Sequence, residues 1–397
     1  MKYNTVKLGE YLYIKGRIGW KGLKKKEYLK KSGFRIINGE SLTENGIDWN
    51  RAGYISKERY DESPEIMLQQ GDILISKDGT IGKVGYIGLL DMPTTVASGI
   101  FVIRNQMTEI INTRFIYYFF HSRYFKNFIT MRTEGSVIPH LYQKDFVDLD
   151  FPLPGLNVQD RIVAILDAIS NKIEINKSIN NNLEQQAQAV YYKMFSEVNI
   201  VPVELSSIID VRDGTHDSPK AQATGYYLIT SKHLLPFGVD KASANHISKA
   251  DFDKINERSL VETQDILMSM IGTIGLISYI PYETVDFAIK NVALFKTSHT
   301  PELAYYFLCY LKSEKTLQHI GKCLAGSTQK YISLGELRKM PIYSPTTNEI
   351  REFNCLVKPM FEKIVSRTYE NALLAEMRDS LLPKLMSGEL DVSKIDI

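Results

Sequence analysis

Basic residues are concentrated at the start of the chain, where they could neutralise the phosphates of a nucleic acid. Residues 1–35 contain eleven Lys and Arg against two acidic residues, and aromatic side chains lie among them. Such a run is typical of a phosphate-contacting surface. A solvated, lysine-rich loop is the alternative interpretation of the same run. On the first interpretation, the candidate contacts are Arg17, Trp20, Lys21, Lys24, Lys25 and Lys26.

Two glycine-rich turns and one polar loop supply further candidate contacts. The tetrapeptide GTIG occurs at 79–82 and at 272–275, each time after a β-rich run. We expect tight turns there, in which glycine adopts a positive φ. If the turns face nucleic acid, polar side chains at their tips would donate to phosphates. With the loop DGTHDSP at 213–219, these segments give the candidates Thr80, Lys83, Thr215, His216, Lys220 and Thr273.

The patterns that catalysis or metal binding require are missing from the sequence. The segment around Lys83 has Lys at 77 and Val at 84, where a phosphate-binding loop needs Gly and Ser or Thr. No GxGxxG, GxSxG or NPPY-type motif occurs. The three cysteines are far apart, and the seven histidines never take a metal-ligand spacing. We therefore predict a chain without catalytic residues, metal or cofactor of its own.

Composition and length favour a globular, multidomain protein of the cytoplasm. The 397 residues predict two or three domains, and 44% hydrophobic residues exclude wholesale disorder. No apolar run is long enough for a transmembrane helix, and residues 1–14 lack the apolar core of a secretory signal, so none is expected. The odd, dispersed cysteines suit a reducing compartment. These features predict a cytoplasmic protein with no membrane partner.

The chain is an imperfect duplication. Residues 71–87 match residues 264–280 at ten of seventeen positions, with an offset of 193. Further matches follow in the same order: 54–60 with 246–252, 115–120 with 303–308, and 135–136 with 326–327. Several ordered matches at nearly constant offset indicate that one half of the protein is a diverged copy of the other.

Each copy combines a globular α+β part with a long helix. Short β-rich runs are predicted at 34–37 and 72–76 in the first copy, and at 226–230 and 265–269 in the second. An uninterrupted amphipathic helix is predicted over 157–195, and its counterpart lies near 350–385. Pro359 is expected to kink or split the second helix. Asparagines at 171, 176 and 180–182 interrupt the apolar stripe of the first helix and could fix its register.

A helix of this length needs another long helix beside it. About 39 residues at 1.5 Å per residue span ~58 Å, which exceeds the diameter of a small domain. The chain order of globule, helix, globule, helix then predicts an antiparallel pair with a pseudo-twofold axis and a globule at each end. The residues expected to form this helical spacer are Ile162, Ile165, Ile169, Ile173, Leu183, Val190, Phe353, Val357, Met360, Ile364, Leu374 and Leu381.

These features resemble the specificity subunits of type I restriction–modification systems. The resemblance covers essentially the whole chain. It rests on the duplicated GTIG blocks, on residues 152–195, which are similar to the central conserved region, and on 337–345 leading to 377–390, which are similar to the distal one. Residues 16–23 and 213–219 resemble openings of target recognition domains.

The resemblance implies a fold and a division of labour. We expect two homologous α/β target recognition domains, 1–152 and 199–345, with conserved helical spacers at 153–198 and 346–397. Each domain would read one half of an asymmetric, bipartite site in double-stranded DNA. The helices would set the spacing and bind two modification subunits, which carry the S-adenosylmethionine chemistry of adenine methylation. Restriction subunits would add ATP- and Mg-dependent translocation and cleavage, so the chain itself would be non-catalytic.

Two other functions are compatible with parts of the pattern. A stand-alone DNA-binding regulator would dimerise through its helices, although one chain already contains two half-site readers. A self-contained nuclease would need an acidic or basic constellation shared by both copies. Apart from Asp72 and Asp265, which are expected to cap turns, the copies share none.

Overall fold

The computed structural model describes residues 3–18, 22–43, 46–133, 140–195, 201–324 and 330–393. The chain forms two compact units. The first comprises Met1–Ile173 together with Leu373–Ile397, and the second comprises Glu174–Ala372. The boundary between the units passes through both long helices, so each helix contributes a part to each unit.

The first unit contains short strands, short helices and the beginning of a long helix. In chain order its elements are β1 (Asn4–Lys7), β2 (Leu12–Gly16), β3 (Arg35–Ile37), β4 (Leu42–Thr43), β5 (Gly46–Ile47), β6 (Gly53–Tyr54), α1 (Lys57–Asp61), β7 (Ile73–Ser76), β8 (Val84–Tyr86), β9 (Thr94–Val96), β10 (Ile100–Asn105), α2 (Thr113–His121), α3 (Arg123–Thr133), β11 (Asp150–Leu153) and α4 (Leu156–Phe195).

Within its described residues, the strands of the first unit form four small sheets. The largest has the order β2-β10-β7-β8 and is antiparallel throughout. A three-stranded sheet, β6-β3-β9, pairs β3 in parallel with β9. The pair β4-β5 forms a hairpin, and β1 pairs antiparallel with β11 just before α4 begins. The β1-β11 pair therefore ties the start of the domain to the start of the helix.

The second unit repeats this series of elements. They are β12 (Val203–Glu204), β13 (Val211–Asp213), β14 (Tyr226–Ile229), β15 (Leu234–Leu235), β16 (Gly238–Val239), β17 (Asn245–Ile247), α5 (Lys249–Ser259), β18 (Ile266–Ser269), β19 (Ile277–Tyr279), β20 (Phe287–Ile289), β21 (Val292–Phe295), α6 (Ala304–Leu311), α7 (Glu314–Lys322), α8 (Leu334–Arg338), β22 (Pro341–Ile342) and α9 (Thr347–Ser387).

The sheets of the second unit have the same strand order as those of the first. The four-stranded sheet is β13-β21-β18-β19, and the three-stranded sheet is β17-β14-β20 with β14 and β20 parallel. The pairs β15-β16 and β12-β22 complete the set. The duplication seen in the sequence is thus a duplication of topology. The strands predicted at 34–37, 72–76, 226–230 and 265–269 are confirmed to within one residue at either end.

Aromatic side chains fill the core of the first unit. The rings of Phe119 and Phe151 lie 4.9 Å apart, and those of Phe120 and Phe125 lie 4.6 Å apart. These side chains come from α2, α3 and β11. Both long helices join the same core, which includes Ile162 and Leu166 of α4 and, from the last turns of α9, Leu382, Leu385 and Met386. The globular part and its helices therefore share one hydrophobic core.

The second unit buries the other parts of the two helices in the same way. Its core contains Tyr191 and Phe195 of α4 beside Phe353 of α9, and the rings of Phe195 and Phe353 lie 5.3 Å apart. Phe195 also contacts Tyr306 of α6, with ring centres 5.0 Å apart. In each unit, side chains of the two long helices therefore form part of the hydrophobic core.

The long helices run nearly as predicted, with one correction. α4 spans Leu156–Phe195, where 157–195 was expected, and α9 ends at Ser387 before Gly388, whose φ is 73°. Pro359 was expected to kink or split α9; the split does not occur, because the helix is continuous through the proline. Val357 and Phe361, on either side of the proline, are both buried in the core of the second unit.

Polar side chains interrupt the helix contact in the second unit. Asn176 Nδ2 donates to Glu370 Oε2 at 2.8 Å and to Asn371 Oδ1 at 2.9 Å. Asn180 Nδ2 donates to the carbonyl oxygen of Ile364 at 3.4 Å. As residue numbers rise along α4 they fall along α9, so the two helices are antiparallel here. A buried polar pair of this kind disfavours other registers, because a shift would leave its atoms without partners.

The twelve residues predicted for the helical spacer divide into two groups. Ile162, Ile173, Phe353, Val357 and Ile364 are buried. The remaining seven are half-buried along the helices: Ile165, Ile169, Leu183, Val190, Met360, Leu374 and Leu381. The predicted domain boundaries near 152 and 345 lie next to the starts of α4 and α9, whereas the boundary at 198 lies outside the described residues.

Candidate nucleic-acid interface

One edge of the four-stranded sheet in the first unit brings several candidate segments together. β7 ends at Ser76 opposite Ile100, the first residue of β10. β2 ends at Gly16 opposite the second residue of β10, and β8 begins at Val84 opposite Ile75. The segment after Gly16 and the turn at 77–83 therefore lie at the same edge. We call this edge, and the corresponding edge of the four-stranded sheet in the second unit, the binding edge.

The GTIG turn of the first unit is fixed by a buried serine. Ser76 Oγ donates to the carbonyl oxygen of Thr80 at 2.6 Å and accepts from the Lys83 backbone N–H at 2.9 Å. Gly79 and Gly82 have φ values of 68° and 87°, which favour glycine. Thr80 is exposed at the tip, and Lys83 is half-buried with its Nζ 3.4 Å from the Gly39 carbonyl oxygen.

The second unit builds its GTIG turn by the same contacts. Ser269 Oγ donates to the carbonyl oxygen of Thr273 at 2.5 Å and accepts from the Leu276 backbone N–H at 2.8 Å. Gly272 and Gly275 again have positive φ, 78° and 84°. Thr273 is exposed, as Thr80 is. The predicted tight turns are confirmed in both copies, and each presents a threonine to solvent.

Part of the predicted basic surface lies on the outside of the first unit. Lys24 and Lys26 are exposed, the first just before and the second within a short helical turn, Lys25–Glu27. Glu27 Oε1 pairs with Arg59 Nε of α1 at 3.0 Å, and Leu29 is bridged to Tyr54 of β6. The segment is therefore attached to the domain while its lysines face solvent. Trp20, Lys21 and the side chain of Lys25 lie outside the described residues.

Arg17 is a correction to the predicted contact set. Its side chain is 2% exposed, and Nε donates to the Val96 carbonyl oxygen at 3.2 Å. Nη1 lies 3.4 Å from Ser63 Oγ. Burial lowers the pKa of the Arg17 guanidinium, since removal from water disfavours the charged form. Because it points into the domain, Arg17 does not belong to the surface that could meet nucleic acid.

The polar loop of the second unit follows β13 to the corresponding edge. The Gly214 backbone N–H donates to the Val292 carbonyl oxygen at 2.9 Å, and that of Thr215 donates to the Ile289 carbonyl oxygen at 3.0 Å. These bonds hold the loop against the turn between β20 and β21. His216 and Lys220 are exposed and Thr215 is half-exposed. The edge thus combines this loop with the turn that carries Thr273.

A groove of about 490 Å³ lies between this loop and α5. The loop side is formed by residues 215–219, and the helix side includes Asp251, Lys254 and Arg258. Arg258 Nη2 donates to Asp213 Oδ1 at 2.5 Å. The groove is therefore polar and carries both signs of charge, unlike the lysine-rich segment of the first unit.

Two further residues lie at the binding edge of the second unit, Lys290 and Asn291, and no motif in the sequence indicated them. Lys290 Nζ donates to Ser218 Oγ at 2.5 Å, and Asn291 Oδ1 lies 2.7 Å from His216 Nδ1. Both residues are more than 70 positions from their partners. Their position became visible only through strand register, since Val292 pairs with Ser269 as Ile100 pairs with Ser76, and both residues lie just before that strand.

The paired aspartates have a further role beside the turn capping that was expected. Asp72 and Asp265 accept from backbone N–H groups, of Gln69 and Glu262 respectively, both at 2.8 Å. Asp72 also accepts from Arg104 Nε at 2.7 Å. Asp265 accepts from Lys296 Nζ at 2.7 Å. In each unit, a basic residue of the neighbouring strand or its end neutralises the buried acid.

Within the described residues, no group of three or more His, Cys, Asp or Glu side chains could hold a metal ion. None of the helices described is both long and apolar enough to cross a membrane. Neither the Cys309 thiol, which is buried, nor Cys323 or Cys355 forms a disulfide.

The family model and the curated relatives that this chain matches belong to the same family. The family model for the type I restriction modification DNA specificity domain matches residues 2–185 and 197–353. The type I restriction enzyme MjaIX specificity subunit of Methanocaldococcus jannaschii is 24% identical over 359 residues, which is 83% of this chain and 80% of that protein. The EcoKI specificity subunit of Escherichia coli is 20% identical over 396 residues, covering 91% and 84%.

A solved structure has a related fold. The crystal structure of the type I restriction-modification system S subunit from M. genitalium aligns with a TM-score of 0.54 at 16% identity. The alignment covers 98% of this chain and 97% of that chain. At this identity the likeness concerns the fold.

Proposed function

The chain belongs to the family of type I restriction modification DNA specificity domains, and from this premise we propose that it is the specificity subunit of a type I restriction–modification complex. In this role each unit binds one half of a bipartite site in double-stranded DNA. The binding edge of each four-stranded sheet is the contact surface. The chain selects the sequence and does no chemistry itself.

The observation that carries this proposal is a duplicated edge with unlike side chains. Both edges have the same strand ends and the same serine-fixed turn, with Thr80 in one and Thr273 in the other. The first unit also carries the exposed lysines Lys24 and Lys26, whereas the second presents the His216 loop at its edge. Because the frames match and the side chains differ, two unlike half-sites are expected, and the target is asymmetric.

The helix pair supports a fixed spacing between half-sites. α4 and α9 contain 40 and 41 residues, and each runs from the core of one unit into the core of the other. At 1.5 Å per residue, such a helix is ~60 Å long. DNA-binding proteins with two readers match the distance between those readers to the half-site spacing. The helices are therefore proposed as the ruler.

The remaining parts of the activity are assigned to partner subunits. Two modification subunits would dock on the helices and methylate adenine with S-adenosylmethionine. Restriction subunits, where present, would use ATP and Mg for translocation and cleavage. This chain would need no cofactor, and the complex would work in the cytoplasm, where its DNA is.

Methylation mapping tests the proposal directly. The chain is co-expressed with its cognate modification subunit in a host without other adenine methylation, and methylated adenines are mapped across the genome. We expect one split motif with two unlike half-sites and a constant gap. Expression of the modification subunit alone is the control and should give no such motif. Absence of a split motif in the co-expressing host would defeat the proposal, and tight, specific DNA binding by the chain alone would favour a regulator.

A further inference from the structure

The exposed imidazole of His216 is held from two sides. Its Nδ1 lies 2.7 Å from Asn291 Oδ1, and its Nε2 lies 3.0 Å from Asp213 Oδ2. The side chain is nevertheless 64% exposed. Both ring nitrogens therefore face a partner within the protein, Nδ1 the Asn291 amide and Nε2 the Asp213 carboxylate, while most of the side chain stays exposed.

Both partners of His216 are themselves fixed. Asp213 is 13% exposed and accepts from Arg258 Nη2, which also donates to the Asp213 and Gly214 carbonyl oxygens at 3.2 and 3.3 Å. Arg258 lies on α5, so an element outside the sheet holds the acid in place. An exposed histidine with two immobilised partners loses little further freedom when it binds a ligand.

The backbone around Asn291 explains why an asparagine stands there. Its φ is 54°, in the left-handed region, where asparagine is tolerated better than most residues. The Asn291 backbone N–H donates to the Thr215 carbonyl oxygen at 3.1 Å. Gly214 approaches so closely that a Cβ there would lie 2.3 Å from the Ile289 carbonyl oxygen. The loop and the β20–β21 turn are thus in close contact, and this contact brings the Asn291 side chain to the His216 ring.

The first unit has no equivalent of this arrangement among its described residues. Ile100 pairs with Ser76 in the first unit, and Val292 pairs with Ser269 in the second, so Gly99 occupies the position of Asn291. A glycine there offers no side chain to hold a neighbouring ring. The histidine clamp, formed by His216, Asn291 and Asp213, is therefore a feature of the second unit.

We propose that Asn291 is a positioning residue that sets base preference in one half-site by fixing the His216 ring. The inference rests on the proposed function and deepens it. Since both nitrogens are taken, the ring offers carbon atoms to the major groove, where the group that suits an apolar contact is the methyl of thymine. Asn291 thus makes His216 recognise a base by van der Waals contact and keeps the ring from forming a hydrogen bond to a base.

The test compares two substitutions at Asn291 in the complex with the modification subunit. Asn291→Gly keeps the positive φ and removes the side chain, whereas Asn291→Asp keeps both the φ and an oxygen acceptor. Mapped methylation sites give the base preference at each position. We expect Asn291→Gly to lower the preference about tenfold at one position of one half-site, which is the lower range for one good base contact. Asn291→Asp should retain the preference.

A double-substitution cycle separates this role from a general effect on the fold. His216→Ala should relax the same position, and His216→Ala combined with Asn291→Gly should relax it no further, because both act through one ring. Additive effects, an unchanged preference in Asn291→Gly or loosening of both half-sites would overturn the inference. A wild-type complex without a split motif would instead overturn the proposed function, so the two failures are distinguishable.

Discussion

Each unit has a buried aspartate, and the two units neutralise it with different basic side chains. In the first unit, the acid just before β7, Asp72, is paired with Arg104, whose side chain is 28% exposed. In the second unit, Asp265 just before β18 is paired with Lys296, whose side chain is 1% exposed and also contacts Glu262 at 2.7 Å. The acid and its place in the strand order are retained, while the base and its environment have changed.

The same contrast holds at the binding edges. The serine that fixes each GTIG turn makes the same two hydrogen bonds in both units. The surrounding side chains differ, with lysines in one unit and the histidine clamp in the other. The backbone of the turn requires the same serine and glycines in both units, whereas the side chains that face solvent at the edge can differ. A duplicated frame with diverged edges is how one fold can bind two different sequences.

The largest effect is expected from lengthening the helices that both units share. Four residues inserted between Asn180 and Leu183, with four more after Ile364 in α9, add ~6 Å and ~40° of helical phase. At 3.4 Å per base pair, the gap should grow by about one or two base pairs, while both half-sites stay the same. Binding to the original site should fall by about 10³-fold, towards the non-specific level.

Methylation mapping of the lengthened variant measures the gap and the half-sites, and binding titrations measure the affinity. Asn181→Ala, an exposed position at the same level of α4, is the control and should change neither the gap nor the half-sites. A changed half-site with an unchanged gap would show that the helices are not the ruler.

The next effect concerns the buried ion pairs and should be unequal between the units. Lys296→Met leaves Asp265 charged and buried, which costs ~3–5 kcal/mol of unfolding free energy. Arg104→Met should cost less, because the Arg104 side chain is 28% exposed and its charge is partly solvated, whereas that of Lys296 is 1% exposed; Asp72 and Asp265 are both buried. Urea unfolding of both variants measures the difference. Equal losses would mean that the difference in burial has no energetic consequence.

The lysine segment should affect DNA binding through charge. Replacing Lys24, Lys25 and Lys26 with Ala should lower the slope of log affinity against log salt by ~0.9 for each phosphate that is no longer neutralised. Binding titrations from low to physiological salt give the slope. Lys249→Ala, an exposed lysine that starts α5, is the control and should leave the slope unchanged. An unchanged slope in the triple variant would assign the segment to a solvated loop.

The smallest effect is expected from one histidine in each unit. Burial lowers the pKa of His121 and of His233 below the ordinary value near 6.5. As the pH falls below ~6.5, the unfolded chain takes up protons before the folded one, so stability decreases. Unfolding free energies at pH 7.5 and 5.5 should differ less in His121→Asn and in His233→Asn than in the wild type. An undiminished pH dependence in both variants would mean that neither histidine is its source.

Periodicity predicted the framework well, because its elements depend on local patterns. The apolar stripe of α4 and the strands beside GTIG follow from spacing alone, and Gly79 and Gly82 from the needs of a turn. Side-chain placement was harder. The sequence places Arg17 in the basic run and predicts a surface contact, but its position just after β2 directs the side chain into the domain. Pro359 lies inside a helix that continues through it, between two buried side chains. Asn291 is brought to its partner only through strand register.

The division of the helices between the cores has a consequence for the order in which the chain can fold. The second unit is one continuous segment, Glu174–Ala372, and can complete its core as soon as that segment is synthesised. The first unit needs Leu382, Leu385 and Met386, which are translated after the whole of the second unit. The domain that leaves the ribosome first is therefore completed last, and removal of residues 373–393 should leave it without part of its core while the second unit remains folded.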